Sequence, residues 1–130
     1  MQNAARTVEA YKTQQIMTAT PEGLTLMLYN GALKFINEGI TAQGKKDYES
    51  ANTVLIKAQN IISEFRITLK MEYEISHQLL PIYNYIYDLL VEGNMKNNSE
   101  KLYEAKDLLT ELRNAWHEAM KIARQEKGTV

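Results

Sequence analysis

The chain has 130 residues, 45% hydrophobic and 24% charged, which suits one globular domain around one core and excludes a disordered chain. Fifteen basic and sixteen acidic residues leave a formal charge of −1, so the electrostatic footprint of a nucleic-acid or anionic-membrane binder is absent. Without cysteine there are no disulfides and no thiolate chemistry, which fits the reducing cytosol. Residues 1–12 lack the basic-then-apolar order of a secretory signal, and no apolar run approaches the roughly 20 residues that span a bilayer. A cytoplasmic, single-domain protein without direct membrane insertion is expected.

Residues 1–19 come first, mixed in polarity but carrying Val8, Tyr11, Ile16 and Met17. Val8 and Tyr11 are three apart and share one face of a helical turn. Two readings stay open here: an arm that folds back on the rest, or a disordered terminus. The first helix opens at Thr20-Pro21-Glu22, where threonine caps free amides, proline is preset for the first turn and glutamate suits the positive helix end. It should stop near Gln43-Gly44. A second helix runs from Asp47, as N-cap, to about Leu69. The third lies between roughly Ser76 and Gly93, with Gly93-Asn94 as its stop. Pro81 sits in its first turn, or marks a kink if the helix begins earlier. The fourth starts at Asn98 or Ser99 and runs to about Gln125, leaving 126–130 as a flexible tail. The expected fold is all-α, an antiparallel four-helix bundle over residues 20–125, with the 1–19 arm packing on it.

A helix that faces one core carries one apolar stripe. The fourth helix fits that rule: Ala105, Leu108, Leu109, Leu112, Trp116, Ala119, Met120 and Ala123 gather on one side. The first does not. Leu24, Met27, Leu28, Ala32 and Phe35 form one line, and Leu26, Tyr29, Leu33, Ile36 and Ile40 form another. In the second helix Ile56 and Ile67 stand opposite the main stripe, near Asn60. In the third, Leu80, Tyr87 and Val91 flank the core line. Contiguous surplus apolar surface marks an interaction site, and grooves between helices suit an amphipathic helix of another protein. The candidate partner-binding residues are Tyr29, Leu33, Ile36, Ile56, Asn60, Ile67, Tyr87 and Val91. Tyrosine, eight of the eleven aromatics, offers an apolar body with a polar tip that tolerates an empty, wet groove.

Chemistry for catalysis is missing. Of the two histidines, His77 completes a Glu74-x-x-His77 spacing, but a di-iron bundle needs a second such motif and two more inward carboxylates, which His117 and its neighbours do not supply. There is no Gly-rich phosphate loop, Gly-x-Ser-x-Gly elbow or His-Glu-x-x-His motif. No catalytic residue, metal ligand or cofactor is expected.

Several stretches together resemble the flagellar secretion chaperone family FliS. They are Ala10-Tyr11, Thr18-Ala19-Thr20-Pro21-Glu22-Gly23-Leu24, Leu26-Met27-Leu28-Tyr29-Asn30-Gly31-Ala32, and Leu55-Ile56-Lys57-Ala58-Gln59-Asn60-Ile61-Ile62. Tyr83-Asn84-Tyr85-Ile86 and Glu111-Leu112-Arg113-Asn114-Ala115-Trp116 follow in the family's order. The Lys70-Met71-Glu72-Tyr73 connection and Pro81 depart from it. The resemblance implies an antiparallel helical bundle that binds the C-terminal segment of flagellin in the cytoplasm, prevents premature polymerisation and assists delivery to the flagellar export apparatus. It implies contact with the export gate too, with no residue to assign. Val8 and Tyr11 match arm positions that act as a lid over part of the client site. Without a client the chain is expected to be a monomer or to self-associate weakly. The alternative is a helical homo-oligomeric structural or adaptor protein with no flagellin client.

Overall fold

The computed structural model describes residues 20–128, with the backbone alone for 127 and 128. Four helices occupy them: α1 (Pro21–Gly44), α2 (Tyr48–Thr68), α3 (Glu74–Met95) and α4 (Ser99–Gly128). No strand occurs among the described residues. The starts follow local chemistry. Thr20 Oγ1 accepts the Gly23 amide at 3.0 Å, and Asp47 Oδ1 accepts that of Ser50 at 3.2 Å. Ser50, through its side chain first and then this amide, holds the Asp47 carboxyl below the usual range. Lys46 and Asn97 reverse the chain at φ of 61° and 49°.

Connections this short make consecutive helices antiparallel neighbours. Accordingly α1 packs on α2 and α4, and α3 packs on the same two. The ring closes into the expected all-α four-helix bundle. α3 begins at Glu74, so Pro81 lies inside the helix and leaves the His77 carbonyl without its usual amide donor. Pro81 is exposed, where water can take that role. α4 continues through 126–128, residues assigned above to a tail.

The core is drawn from all four helices: Leu26, Tyr29, Ala32 and Ile36; Ala51, Leu55, Ala58, Ile62 and Phe65; Tyr83, Ile86, Leu89 and Leu90; Leu102, Ala105 and Leu109. Two glycines mark the closest approaches. A Cβ on Gly39 would lie 2.7 Å from Leu55 Cγ, and one on Gly93 would lie 2.9 Å from Leu102 Cγ. At the α1–α2 turn end, Gln43 is only 6% exposed. Its Nε2 donates to the Gly93 carbonyl at 2.9 Å, and its Oε1 accepts from Ser99 Oγ at 2.9 Å. One side chain thus ties the end of α1 to the end of α3 and the start of α4.

At mid-core, Phe65 packs between Tyr29 and Tyr83, with ring centroids 4.6 and 5.4 Å away. The two tyrosine hydroxyls share a buried hydrogen bond of 2.5 Å. Burial, reinforced by the bond to Tyr83, pushes the Tyr29 phenol far above its usual range. Burial raises Tyr83 as well, with the bond to Tyr29 acting in the opposite sense.

Gln43→Leu should deprive the Ser99 hydroxyl of its acceptor and leave the Gly93 carbonyl only the Asn98 amide, lowering unfolding free energy by about 1–2 kcal/mol in urea titrations. For the tyrosines, either single Tyr→Phe change should destabilise by about 1–2 kcal/mol, because one buried hydroxyl loses its partner. The Tyr29→Phe, Tyr83→Phe double variant should recover most of that loss. Both folded-state pKa values lie above the unfolded value, so their contribution is complete below about pH 10 and falls as pH rises beyond it. Between pH 9 and 11 the double variant should therefore lose less stability than the wild type.

Candidate functional site

The hydrogen bonds across the α2–α3 pair fix its register. Asn94 Nδ2 donates to Asn52 Oδ1 at 2.8 Å, and Arg66 Nη1 donates to Asn84 Oδ1 at 3.2 Å. In an antiparallel pair these anchors put Ile56 level with Val91, and Asn60 level with Tyr87, to within about one turn. Ile56 is 43% exposed and Ile67 is 77% exposed. Both lie on the outer face of α2 with the exposed Asn60, while Tyr87 and Val91 are half-buried along the facing edge of α3. Five of the eight candidate residues thus border one seam. Arg66 lies across it, its guanidinium carbon 4.0 Å from the centre of the Tyr87 ring.

The other three separate. Tyr29 and Ile36 are buried in the core, so the assignment of a surplus stripe on α1 is corrected. Leu26, Tyr29 and Ile36 form the inward line of α1, and Leu24, at 51% exposure, belongs to the outward one. The two lines are equally apolar, and only the packing partners choose between them. Leu33 is half-buried on the opposite side of the bundle. There it borders a shallow concavity of about 640 Å³ with Asn30, Lys34, Asn37 and Glu38. Val8 and Tyr11 lie outside the described residues.

A second apolar region was assigned to the core on periodicity. The α4 stripe is buried only at Leu102, Ala105 and Leu109; Leu108, Leu112, Trp116 and Met120 are half-buried, and Ala119 and Ala123 are exposed. Trp116 Nε1 donates to the Glu22 carbonyl at 3.0 Å, so α4 meets the start of α1 there and runs on beyond it. Adjoining clefts of about 240 and 210 Å³ share Glu22, Met120 and Ala123 in their walls. This is the bundle end that also carries the α2–α3 connection, where Met71, Tyr73 and Ile75 are exposed. The missed signal was length: α4 has 30 residues against 24 in α1, too many for one neighbour to cover.

Polar chemistry is sparse. Glu92 pairs with Lys101 at 2.7 Å and Lys96 at 3.9 Å, and its carboxyl is held low by Lys101 first and then Lys96. Tyr85 donates to Glu104, a bond that raises its phenol pKa. His77 is exposed and its Nε2 meets the Met71 carbonyl at 2.8 Å. Among the described residues no three His, Asp or Glu side chains gather to hold a metal ion, and no helix is long and apolar enough to cross a membrane. What the surface offers is apolar area at helical spacing, suited to holding another chain.

Comparison with known proteins agrees with that reading. Residues 1–123 match the family model described as flagellar protein FliS. The chain is 43% identical over 118 residues to the flagellar secretion chaperone FliS of Bacillus subtilis, covering 91% of this chain and 89% of that one. It is 26% identical over 124 residues to the protein of the same name in Escherichia coli, covering 90% and 91%. The Campylobacter jejuni protein of that name is 30% identical over 111 residues, covering 84% and 87%. The family is one of chaperones and not of enzymes. With its helical bundle, its outward apolar seam and a match over nearly the whole sequence, the chain belongs to the FliS family of flagellar secretion chaperones.

Proposed function

We propose that this protein is a cytoplasmic export chaperone that binds the C-terminal segment of flagellin, keeps it from polymerising early and assists its delivery to the flagellar export apparatus. The observation that carries the reading is the seam of α2 and α3, where Ile56, Asn60 and Ile67 stand outward beside Tyr87 and Val91. Anchors at such spacing suit the apolar face of an amphipathic helix. A client that is disordered before binding gives up about 2–5 kcal/mol on ordering, so it must cover a long surface. The seam together with the apolar end near Trp116 supplies that length. Leu33, on the opposite side, would serve only a client that wraps around the bundle.

In this reading residues 1–19 form an arm, 20–125 the bundle and 126–130 a tail, whose first residues continue α4 as helix to 128. Val8 and Tyr11 act as a lid, lowering apparent client affinity by the fraction of time the arm occupies the site. The lid also shields apolar surface, so the client-free chain is monomeric or only weakly self-associated.

Calorimetric titration with a peptide from the C-terminus of the host's flagellin tests the reading directly. Ile56→Glu should weaken binding at least tenfold, because it sets a carboxylate against an apolar anchor. Its unfolding free energy should stay within about 0.5 kcal/mol of wild type, as for other surface changes. Unchanged affinity would remove the seam as the client site. Tyr11→Ala should leave affinity equal or tighter; a collapse of binding would mean that Tyr11 holds the client itself.

A further inference from the structure

Arg66 is held in place by groups that do not neutralise it. Its Nη1 donates to Asn84 Oδ1 and its Nη2 to Ser63 Oγ, each at 3.2 Å, while the ring of Tyr87 supports the guanidinium from 4.0 Å. All three supports are uncharged. The ion pairs among the described residues both involve Glu92, toward the other end of α3, and none of the described carboxylates lies within ion-pair distance of Arg66. A base in the last turn of α2 is favoured by the helix dipole. That effect requires neither Asn84 nor Tyr87, which belong to the neighbouring helix. The clamp therefore calls for a further explanation.

A guanidinium carries five N–H donors in a flat fork, of which the two named bonds use two. Stacked on a ring it is weakly hydrated and loses little freedom on meeting a second partner. The group that matches such a fork is a carboxylate, taken through paired hydrogen bonds. The clamp stands between Ile67, the next residue along α2, and the half-buried Val91, one turn from Tyr87 on α3. Once a bound segment covers these apolar neighbours, water is excluded, and that strengthens a charged contact.

We propose that Arg66 is a receptor for a carboxylate of the bound client segment, seated on the α2–α3 seam between its apolar anchors. The inference rests on the client reading and adds to it a chemical requirement: the segment lying on this seam is acidic at one position. The carboxylate comes from an Asp or Glu side chain of the segment or from its C-terminal end. Arg113 provides an internal comparison. It is held by Asn30 at 2.9 Å and Asn114 at 3.0 Å, but on the α1–α4 side, away from the seam.

The test is a titration of the full-length chain with the flagellin C-terminal peptide in several forms: native, amidated at the C-terminus, and with each Asp or Glu changed singly to Asn or Gln. Arg66→Gln should weaken binding of the native peptide roughly tenfold or more, the loss expected of a hydrogen-bonded charge. Arg66→Lys should recover part of it, having charge without the fork. One neutralised peptide should bind wild type as weakly as Arg66→Gln binds the native one, and should lose nothing further against that variant. The amidated form answering to this description assigns the terminal carboxylate; a substituted form assigns a side chain. Arg113→Gln should stay within about twofold of wild type, as a rim charge would. Equal losses for Arg66→Gln and Arg113→Gln, or losses that add with every neutralised peptide, would overturn the proposal. So would native affinity in Arg66→Gln. A wild-type protein that binds no form of the peptide overturns the client reading, and the carboxylate with it.

Discussion

Two phenol oxygens 2.5 Å apart, with Phe65 packed against both rings, set the rotation of three helices about their own axes. An aromatic side chain has few rotamers, so once Tyr29, Phe65 and Tyr83 face each other, little freedom remains to α1, α2 or α3. Every outward residue inherits its direction from that arrangement. Phe65 points inward and Arg66, its neighbour, reaches across the seam; Tyr83 points inward and Asn84, its neighbour, receives Arg66. The hydrogen bond also restricts what can replace the pair, because a lone hydroxyl at that depth has nothing else to bond.

The architecture was legible where a helix announces its start. Thr20 with Pro21 and Asp47 act through local backbone chemistry, which no distant contact needs to confirm. By contrast, α3 runs past the expected stop at Gly93-Asn94 to Met95, and Gly93 serves the close approach of Leu102 instead. Faces were legible where one side of a helix is clearly polar, as on α2, whose inward line is the one periodicity gives. On α1 the two apolar lines are equivalent in composition. The choice falls to the aromatic contacts with α2 and α3, which periodicity cannot see, so Tyr29 and Ile36 were assigned outward and are core. On α4 the pattern was read correctly and its coverage was not. A stripe shows what could be buried, but burial also requires a neighbour at that level, and α1 starts near Trp116.

The apolar surface left over is unevenly placed. It follows the α2–α3 seam and collects at the end bearing Leu24, Met71, Tyr73, Ile75 and the second half of α4. Under the proposed client reading, exposed area of this kind is the working part, and the core holds it at fixed spacing. Stability and function therefore draw on different residues of the same helices, often adjacent ones.

The contrast between the two ends has a mechanical meaning. At one end Gln43 joins three helices through two hydrogen bonds, and Gly93 lets α4 come close to α3. At the other, α4 runs on past the start of α1, which it meets at the Trp116 indole. The two ends therefore carry different burdens: a change at Gln43 is felt by three helices at once, whereas a change at Trp116 is felt where α4 meets α1.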